Sequence, residues 1–364
     1  MHHIIRSFSF HRIDLALLVP ALMLFGISLT TLYSISPILF RQQLTYGVVG
    51  LVIYFVFLSF DYRVFSYFSK QVYIGILLIL GLIFFIGFES KGAVRWIEIF
   101  GVSLQFSELL KPFFVIVFAS FLAKNDSHGF STFVKSLLIL LPVFFLVLRQ
   151  PDLGNAIIYF FMALFMMVAY GFPIRYFLSL GAALIIPMPL FFSLLRDYQR
   201  ERIFSFLNST SDPFGSSYNA IQALISVGSG QFLGKGFGQG TQSSLRFLPE
   251  RHTDFIFATL SESFGFIGGV VILVLFVFLL VHIYKISAEA KDTFSHLISI
   301  GMFYVILVHV FFNIGMNLGI LPIVGITLPL VSYGGSSLIT NFVILSILSS
   351  IHSEQGKGKI FEIS

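Results

Sequence analysis

The chain has 364 residues, 57% of them hydrophobic and only 11% charged, against about 25% charged in an ordinary globular domain. Its mean hydropathy of +0.93 excludes a water-soluble enzyme and a disordered chain alike. The absence of cysteine excludes disulfides, zinc–thiolate sites and iron–sulfur clusters, and a net charge of +5 on a mostly lipid-facing protein speaks to topology rather than to nucleic acid.

Ten apolar stretches are long enough to cross about 30 Å of hydrocarbon. They fall near 14–34, 45–60, 71–88, 106–123, 135–149, 153–171, 174–195, 253–284, 294–320 and 334–352. Their continuous apolar character predicts helices, since the strands of a membrane barrel alternate. The expected fold is an all-α integral membrane protein with ten transmembrane helices, forming one polytopic domain over 1–364. Arg6 and Arg12 precede the first span with no small-residue cleavage site after them, the pattern of an uncleaved signal anchor. The short outer loops hold only Arg41, Lys91, Arg95 and Arg149, against eleven Lys and Arg in the inner segments, which predicts both termini in the cytoplasm. Segment 196–252, between spans seven and eight, is the one long extracytoplasmic loop, and loops of that length are usually functional. Its Gly234-Lys235 does not complete a Walker A motif, because Ser229 and Gly236 stand at the wrong positions. An ATP-driven pump is therefore not expected.

Scarce polar groups in or beside spans are costly to hold in lipid and mark candidate sites. Arg95 and Trp96 belong at the outer interface. Glu108 and Lys111 share a helix face at the start of the fourth span and can pair, as a structural ion pair or as part of a site. Asp152, in Arg149-Gln-Pro-Asp-Leu-Gly154, is placed to cap the sixth span. The long loop opens with Asp197-Tyr-Gln-Arg200-Glu-Arg202, has a flexible stretch at Asn208–Ser217, and then a glycine run from Gly228 to Gln242. That run is either simply flexible or lets backbone approach an anionic or sugar ligand, with Arg200, Arg202, Lys235 and Arg246 supplying charge. Arg251, His252 and Asp254 lie where the loop enters the eighth span, and Glu262 follows two helical turns deeper on about the same face. Asp254 reads either as a helix cap or as a carboxylate able to accept a proton; His252 is a second candidate base. His309, Asn313 and Asn317 form a polar stripe at i, i+4, i+8 that should face a cavity or a partner helix. After it, Pro322, Gly325 and Pro329 interrupt the helix, and Leu330-Val-Ser332-Tyr-Gly-Gly-Ser-Ser337 predicts a broken or re-entrant segment.

The Ser-Tyr-Gly-Gly-Ser-Ser block, the Leu-Pro-Glu-Arg-His-Thr-Asp-Phe-Ile-Phe block at 248–257 and Gln-Pro-Asp-Leu-Gly at 150–154 resemble the SEDS family (shape, elongation, division and sporulation) over nearly the whole chain. The stretch 234–250 and the short tails are most similar to the family's elongation member. The resemblance implies a peptidoglycan glycosyltransferase that polymerises lipid II on the outer face of the bacterial cytoplasmic membrane, with a class B penicillin-binding protein and the elongation machinery as partners. It maps the family's essential acid onto Asp254 and its Glu/Lys pair onto Glu108 and Lys111. The expected chemistry is an inverting transfer with Asp254 as general base, supported by Glu108, Lys111, His252 and Glu262. The expected substrate contacts are Arg95, Arg200, Arg202, Lys235, Arg246, Arg251, Asn313 and Ser332. No metal ligand set or cofactor is evident, and a divalent cation is left open. Phe106, Ala223, Gln231 and Thr327 depart from the family pattern. The alternatives are a lipid II flippase, a division-type relative with the same chemistry, and a scaffold for the transpeptidase.

Overall fold

The computed structural model describes residues 12–90, 93–99, 102–125, 127–185, 200 and 217–360. The chain opens with α1 (Leu15–Ile35), α2 (Pro37–Leu58), the single turn α3 (Val64–Tyr67) and α4 (Ser69–Ile86). Three strands follow, β1 (Phe88–Ser90), β2 (Ala93–Ile99) and β3 (Val102–Leu104), then α5 (Phe106–Leu109), α6 (Lys111–Ala123), α7 (Phe130–Arg149), α8 (Leu153–Tyr170) and α9 (Ile174–Ile185). The second half holds α10 (Tyr218–Ser229), α11 (Thr241–Ser244), α12 (Ile256–Ala288), α13 (Thr293–Asn317) and α14 (Gly335–Ile360).

Local sequence explains several of the helix ends. Asp14 caps α1 through the Ala16 amide, Asp152 caps α8 through that of Asn155, and Asp292 caps α13 through that of Ser295. Pro37 starts α2, and Gly171 at φ 99° ends α8 in the left-handed conformation.

Eight helical stretches are long and apolar enough to cross a membrane, with α5 and α6 counted together as Phe106–Ala123. Of the remaining expected spans, α4 is an apolar helix of 18 residues, and only Ile174–Ile185 of the seventh is described. The second span begins at Pro37 rather than near 45, because the proline sets a helical start ahead of the polar Arg41-Gln-Gln43. The eighth runs for 33 residues and is broken at Gly265 (φ 68°, ψ −161°), a bend hidden in the sequence by uniform apolarity on both sides. The connection after α4 is an antiparallel meander in the order β1-β2-β3, with Phe88 opposite Trp96 and Ile97 opposite Leu104.

The helices pack as a bundle in which α14 runs along α2, α13 lies against α12, α8 and α6, and α1 lies against α12. α14 is the most buried of the long helices, so its Ser, Thr and Asn side chains lie inside the protein rather than in lipid. Close approach of α2 and α14 depends on Gly50, where a Cβ would come within 2.3 Å of the Phe342 ring. Val270, Val274 and Phe278 of α12 are exposed, as expected of a lipid-facing surface.

Candidate functional site

Asp254 sits two residues before α12 and is half-buried. Its main chain is held from several directions. The Nδ2 groups of Asn313 and Asn317 on α13 both donate to the Asp254 carbonyl at 3.0 Å, and Asn317 Oδ1 accepts from the Ala258 amide at 3.0 Å. Ser332 Oγ donates to the Thr253 carbonyl at 2.7 Å while accepting from the Leu328 amide at 2.7 Å. The Tyr333 amide donates to the His252 carbonyl at 2.9 Å, and the two rings lie 5.6 Å apart. The polar stripe of α13 and the non-helical segment 318–334 therefore meet on one short stretch, 252–254. Asn313 Nδ2 also reaches the Ile326 carbonyl at 2.7 Å, supplying a donor to backbone that has left the helix. Gln43 of α2 supports the far side, donating to the Ser332 carbonyl (3.1 Å) and accepting from the Gly334 amide (3.2 Å).

The glycine run does not stand free as a flexible loop. It lies against the bend in α12 and supplies the hydrogen bonds that the break removes. The amides of Lys235 and Gly236 donate to the carbonyls of Glu262 and Ser263, at 2.9 and 3.1 Å. In return the amides of Phe266 and Ile267 donate to the carbonyls of Gln231 and Phe232, at 2.8 and 3.3 Å. Buried backbone that loses its helical partner must find another. Gly234 (φ 85°) and Gly265 are both required by this contact, since a Cβ on either would fall within 2.3 Å of the other strand's backbone. Glu262, fully buried, accepts from the amides of Gln242 and Ser243, from Ser243 Oγ (2.6 Å) and from Lys235 Nζ (3.4 Å). It anchors the turn α11 and, through Lys235, the glycine run. Ahead of the run, α10 packs on α12 around Ala223, Leu248, Phe255 and Ala258.

Below lies a second polar group, inside the bundle. Lys111 Nζ contacts Glu108 Oε1 and His309 Nε2, each at 2.7 Å, and all three side chains are buried. His309 Nδ1 is 3.0 Å from the Thr327 carbonyl. A carbonyl only accepts, so the imidazole proton is on Nδ1 and Nε2 accepts from the lysine. Beside this chain Asp152 Oδ2 accepts from Gln105 Nε2 (2.6 Å), Ser107 Oγ (2.8 Å) and Asn155 Nδ2 (2.8 Å), and Tyr159 donates to the Ser107 carbonyl (3.1 Å). Asp152 is thus a cap and also the hub of a buried network joining α5 to α8.

The expected substrate contacts divide into several settings. Asn313 and Ser332 are buried, and their donors go to backbone carbonyls that hold the Asp254 stretch. Lys235 is paired with Glu262 and Thr241. Arg246, at φ 64°, is exposed. Arg251 is held below the usual guanidinium range by burial and by the like charge of Arg246, and its Nε is buried without a hydrogen-bond partner. Arg200 is half-buried. Arg202, the Arg95 side chain and residues 208–216, expected from the sequence to be flexible, lie outside the described residues. Sequence reasoning missed Gln43, Gln105 and Asn155. Gln43 carried a readable signal, as a polar residue inside the first turns of a span; the other two differ in nothing local from ordinary cap and turn residues.

The family model described as "Cell cycle protein" (FtsW, RodA, SpoVE) matches residues 7–357. The peptidoglycan glycosyltransferase MrdB of Escherichia coli K12 is 40% identical over 314 residues, covering 84% of each chain. A solved structure described as "Structural coordination of polymerization and crosslinking by a peptidoglycan synthase complex" superposes with a TM-score of 0.82 at 28% identity, over 94% of this chain and 98% of that one. The crystal structure of the rod shape determining protein RodA of Thermus thermophilus superposes with a TM-score of 0.72 at 26% identity, over 94% and 97%.

Proposed function

From the chain's membership of the FtsW/RodA/SpoVE family we infer that it is a peptidoglycan glycosyltransferase of the elongation type, polymerising lipid II with Asp254 as general base. It is a multi-pass membrane protein, and its relatives over most of its length carry the glycosyltransferase name. The observation that supports the assignment of the base is the clamp on 252–254, because it fixes the backbone that carries one half-buried aspartate. General-base catalysis needs the acceptor within hydrogen-bond reach of the hydroxyl it deprotonates, and a backbone fixed from two elements supplies that constancy.

In this reading the 4-hydroxyl of the acceptor GlcNAc attacks the anomeric carbon of the donor MurNAc. Asp254 takes the hydroxyl proton as the new C–O bond forms. The bond to undecaprenyl diphosphate breaks with inversion, and its electron pair leaves with the diphosphate. Negative charge develops on that diphosphate and calls for cations. Arg246 and Arg251 suit this role, since an anion between them would relieve their mutual repulsion and meet the unpartnered Arg251 Nε. Both polyprenyl chains remain in lipid, which explains a reactive carboxylate at the rim rather than in a soluble domain. Segment 196–252 then faces outward and both termini face the cytoplasm, with a class B penicillin-binding protein as the crosslinking partner. Glu262 and Lys235 support the loop beside the base without touching the sugars. Glu108 and Lys111 support the same wall of the site through His309.

Purified protein, with and without its penicillin-binding partner, given fluorescent lipid II should yield glycan strands on a gel. Asp254→Asn should reduce polymer by at least about a hundredfold while leaving thermal stability and lipid II binding intact. Lipid II translocation in liposomes without any polymer would sink the transferase reading, and polymer at wild-type rate from Asp254→Asn would sink the assignment of the base alone.

A further inference from the structure

Toward the opposite end of α12, beyond the bend at Gly265 and 28 residues along the chain from Asp254, three ligating side chains from three helices converge. Asp14 caps α1, His282 is on α12 and His352 is on α14. We propose that Asp14, His282 and His352 form a divalent-metal site of the zinc type, clamping together the ends of α1, α12 and α14. The proposal does not depend on the glycosyltransferase reading.

The geometry resembles a ligand set more than an isolated ion pair. His282 Nε2 is 2.7 Å and His352 Nε2 3.9 Å from the same oxygen, Asp14 Oδ2, and all three ligand atoms lie within 4.8 Å of one another. Donors around a tetrahedral zinc stand about 3.3 Å apart, given bonds of about 2.0–2.1 Å, which lies between the two observed separations. Small side-chain rotations would equalise them. Asp14 Oδ1 is fixed by the Ala16 amide at 2.9 Å, so the carboxylate is oriented with Oδ2 toward the histidines, as outer-sphere partners orient metal ligands elsewhere. Arg12, which could neutralise Asp14, donates instead to the Leu58 carbonyl. Among the described residues the two imidazoles are the ionic partners of Asp14.

A second observation points the same way. His352 Nδ1 is buried and has no hydrogen-bond partner, although the side chain as a whole is 42% exposed. The ring is therefore positioned by nothing on its Nδ1 side, and its Nε2 faces the carboxylate. The exposure of its edge gives a cation a way in. Two imidazole nitrogens and one carboxylate oxygen, with a fourth position open to water, suit Zn²⁺ better than Mg²⁺ or Ca²⁺, which prefer all-oxygen shells. Binding requires the unprotonated Nε2 on both rings, so the proton that now joins His282 to Asp14 leaves that nitrogen.

The test titrates full-length protein in detergent with ZnCl₂ against a chromogenic chelator, and repeats it with Co²⁺ for the visible band of a tetrahedral site. One Zn²⁺ per chain is expected, with a rise in melting temperature on saturation. His352→Ala, which removes a half-exposed side chain and is not expected to disturb folding, should weaken binding at least about tenfold. His282→Ala together with His352→Ala should abolish both the stoichiometric metal and the cobalt band. His2→Ala together with His3→Ala should change neither. Wild-type affinity in the His282/His352 double variant, loss of binding in the His2/His3 variant, or no binding by the wild type at 100-fold molar excess of metal would each overturn the proposal, the last leaving Asp14 and the histidines as an ion pair alone.

Discussion

Single side chains in this protein are mostly occupied with holding backbone. Asn313 shows the point: its Nδ2 serves the carbonyls of Asp254 and Ile326, so Asn313→Ala strands the buried Ile326 acceptor and leaves the Asp254 carbonyl with Asn317 as its side-chain donor. A loss of about 1–3 kcal/mol in stability is expected, with a fall in kcat larger than any change in KM, since the backbone that carries the base loses one of its two asparagine donors while the cationic loop stays. Melting curves and lipid II kinetics on the same preparation would read both. Glu108 and Lys111 carry a different expectation. Both are buried, so Lys111→Met or Glu108→Gln alone leaves one unpaired charge and should cost about 3–5 kcal/mol, whereas the double substitution should cost less than either. A thermal-melt cycle in detergent measures this; a double variant as unstable as the sum of the singles would mean that the pair holds no charge compensation. The sequence displayed the pair by its i, i+3 spacing, and the stripe of α13 by its i, i+4, i+8 spacing. It could not display the third member, His309, as the partner of Lys111, because their contact spans 198 positions and depends on how α6 meets α13.

At the level of elements, apolar runs showed where helices lie but not how they end or bend. The early start of α2 at Pro37 and the meander at 88–104 fall in polar or mixed segments, where hydropathy carries no direction. The glycine run was legible as backbone able to approach something closely; what it approaches is the chain's own α12, which only tertiary structure reveals. The corner between α2 and α3 offers a pH test. Tyr62 donates to or accepts from Ser295 Oγ at 2.7 Å and lies near Glu354, while Arg63 pairs with Glu354 at 2.8 Å. Burial, opposed by the Ser295 hydrogen bond and reinforced by the Glu354 charge, pushes the Tyr62 hydroxyl up to about 12. A raised folded-state value means that this contribution is complete below about pH 10 and is lost as pH rises toward 12, on the order of 2 kcal/mol in all. Tyr62→Phe should flatten the alkaline fall in melting temperature over that interval. An unchanged slope would place the titration elsewhere.

For the molecule as a whole, the proposed orientation is open to a direct measurement, and the lack of cysteine makes it clean. Gln239→Cys, on the exposed glycine run, should react with a membrane-impermeant maleimide from outside intact cells. Lys291→Cys, exposed between α12 and α13, should react only after the membrane is opened. The reverse pattern would invert the topology. The bend at Gly265 carries a consequence for anyone exchanging parts between members of the family. Residues 231–236 and 262–267 are two halves of one hydrogen-bonded splint, and each is the other's template. The glycine run is therefore not a cassette: a chimera that transplants it alone would lose the curvature of the helix that follows Asp254, whereas one carrying both segments would keep it.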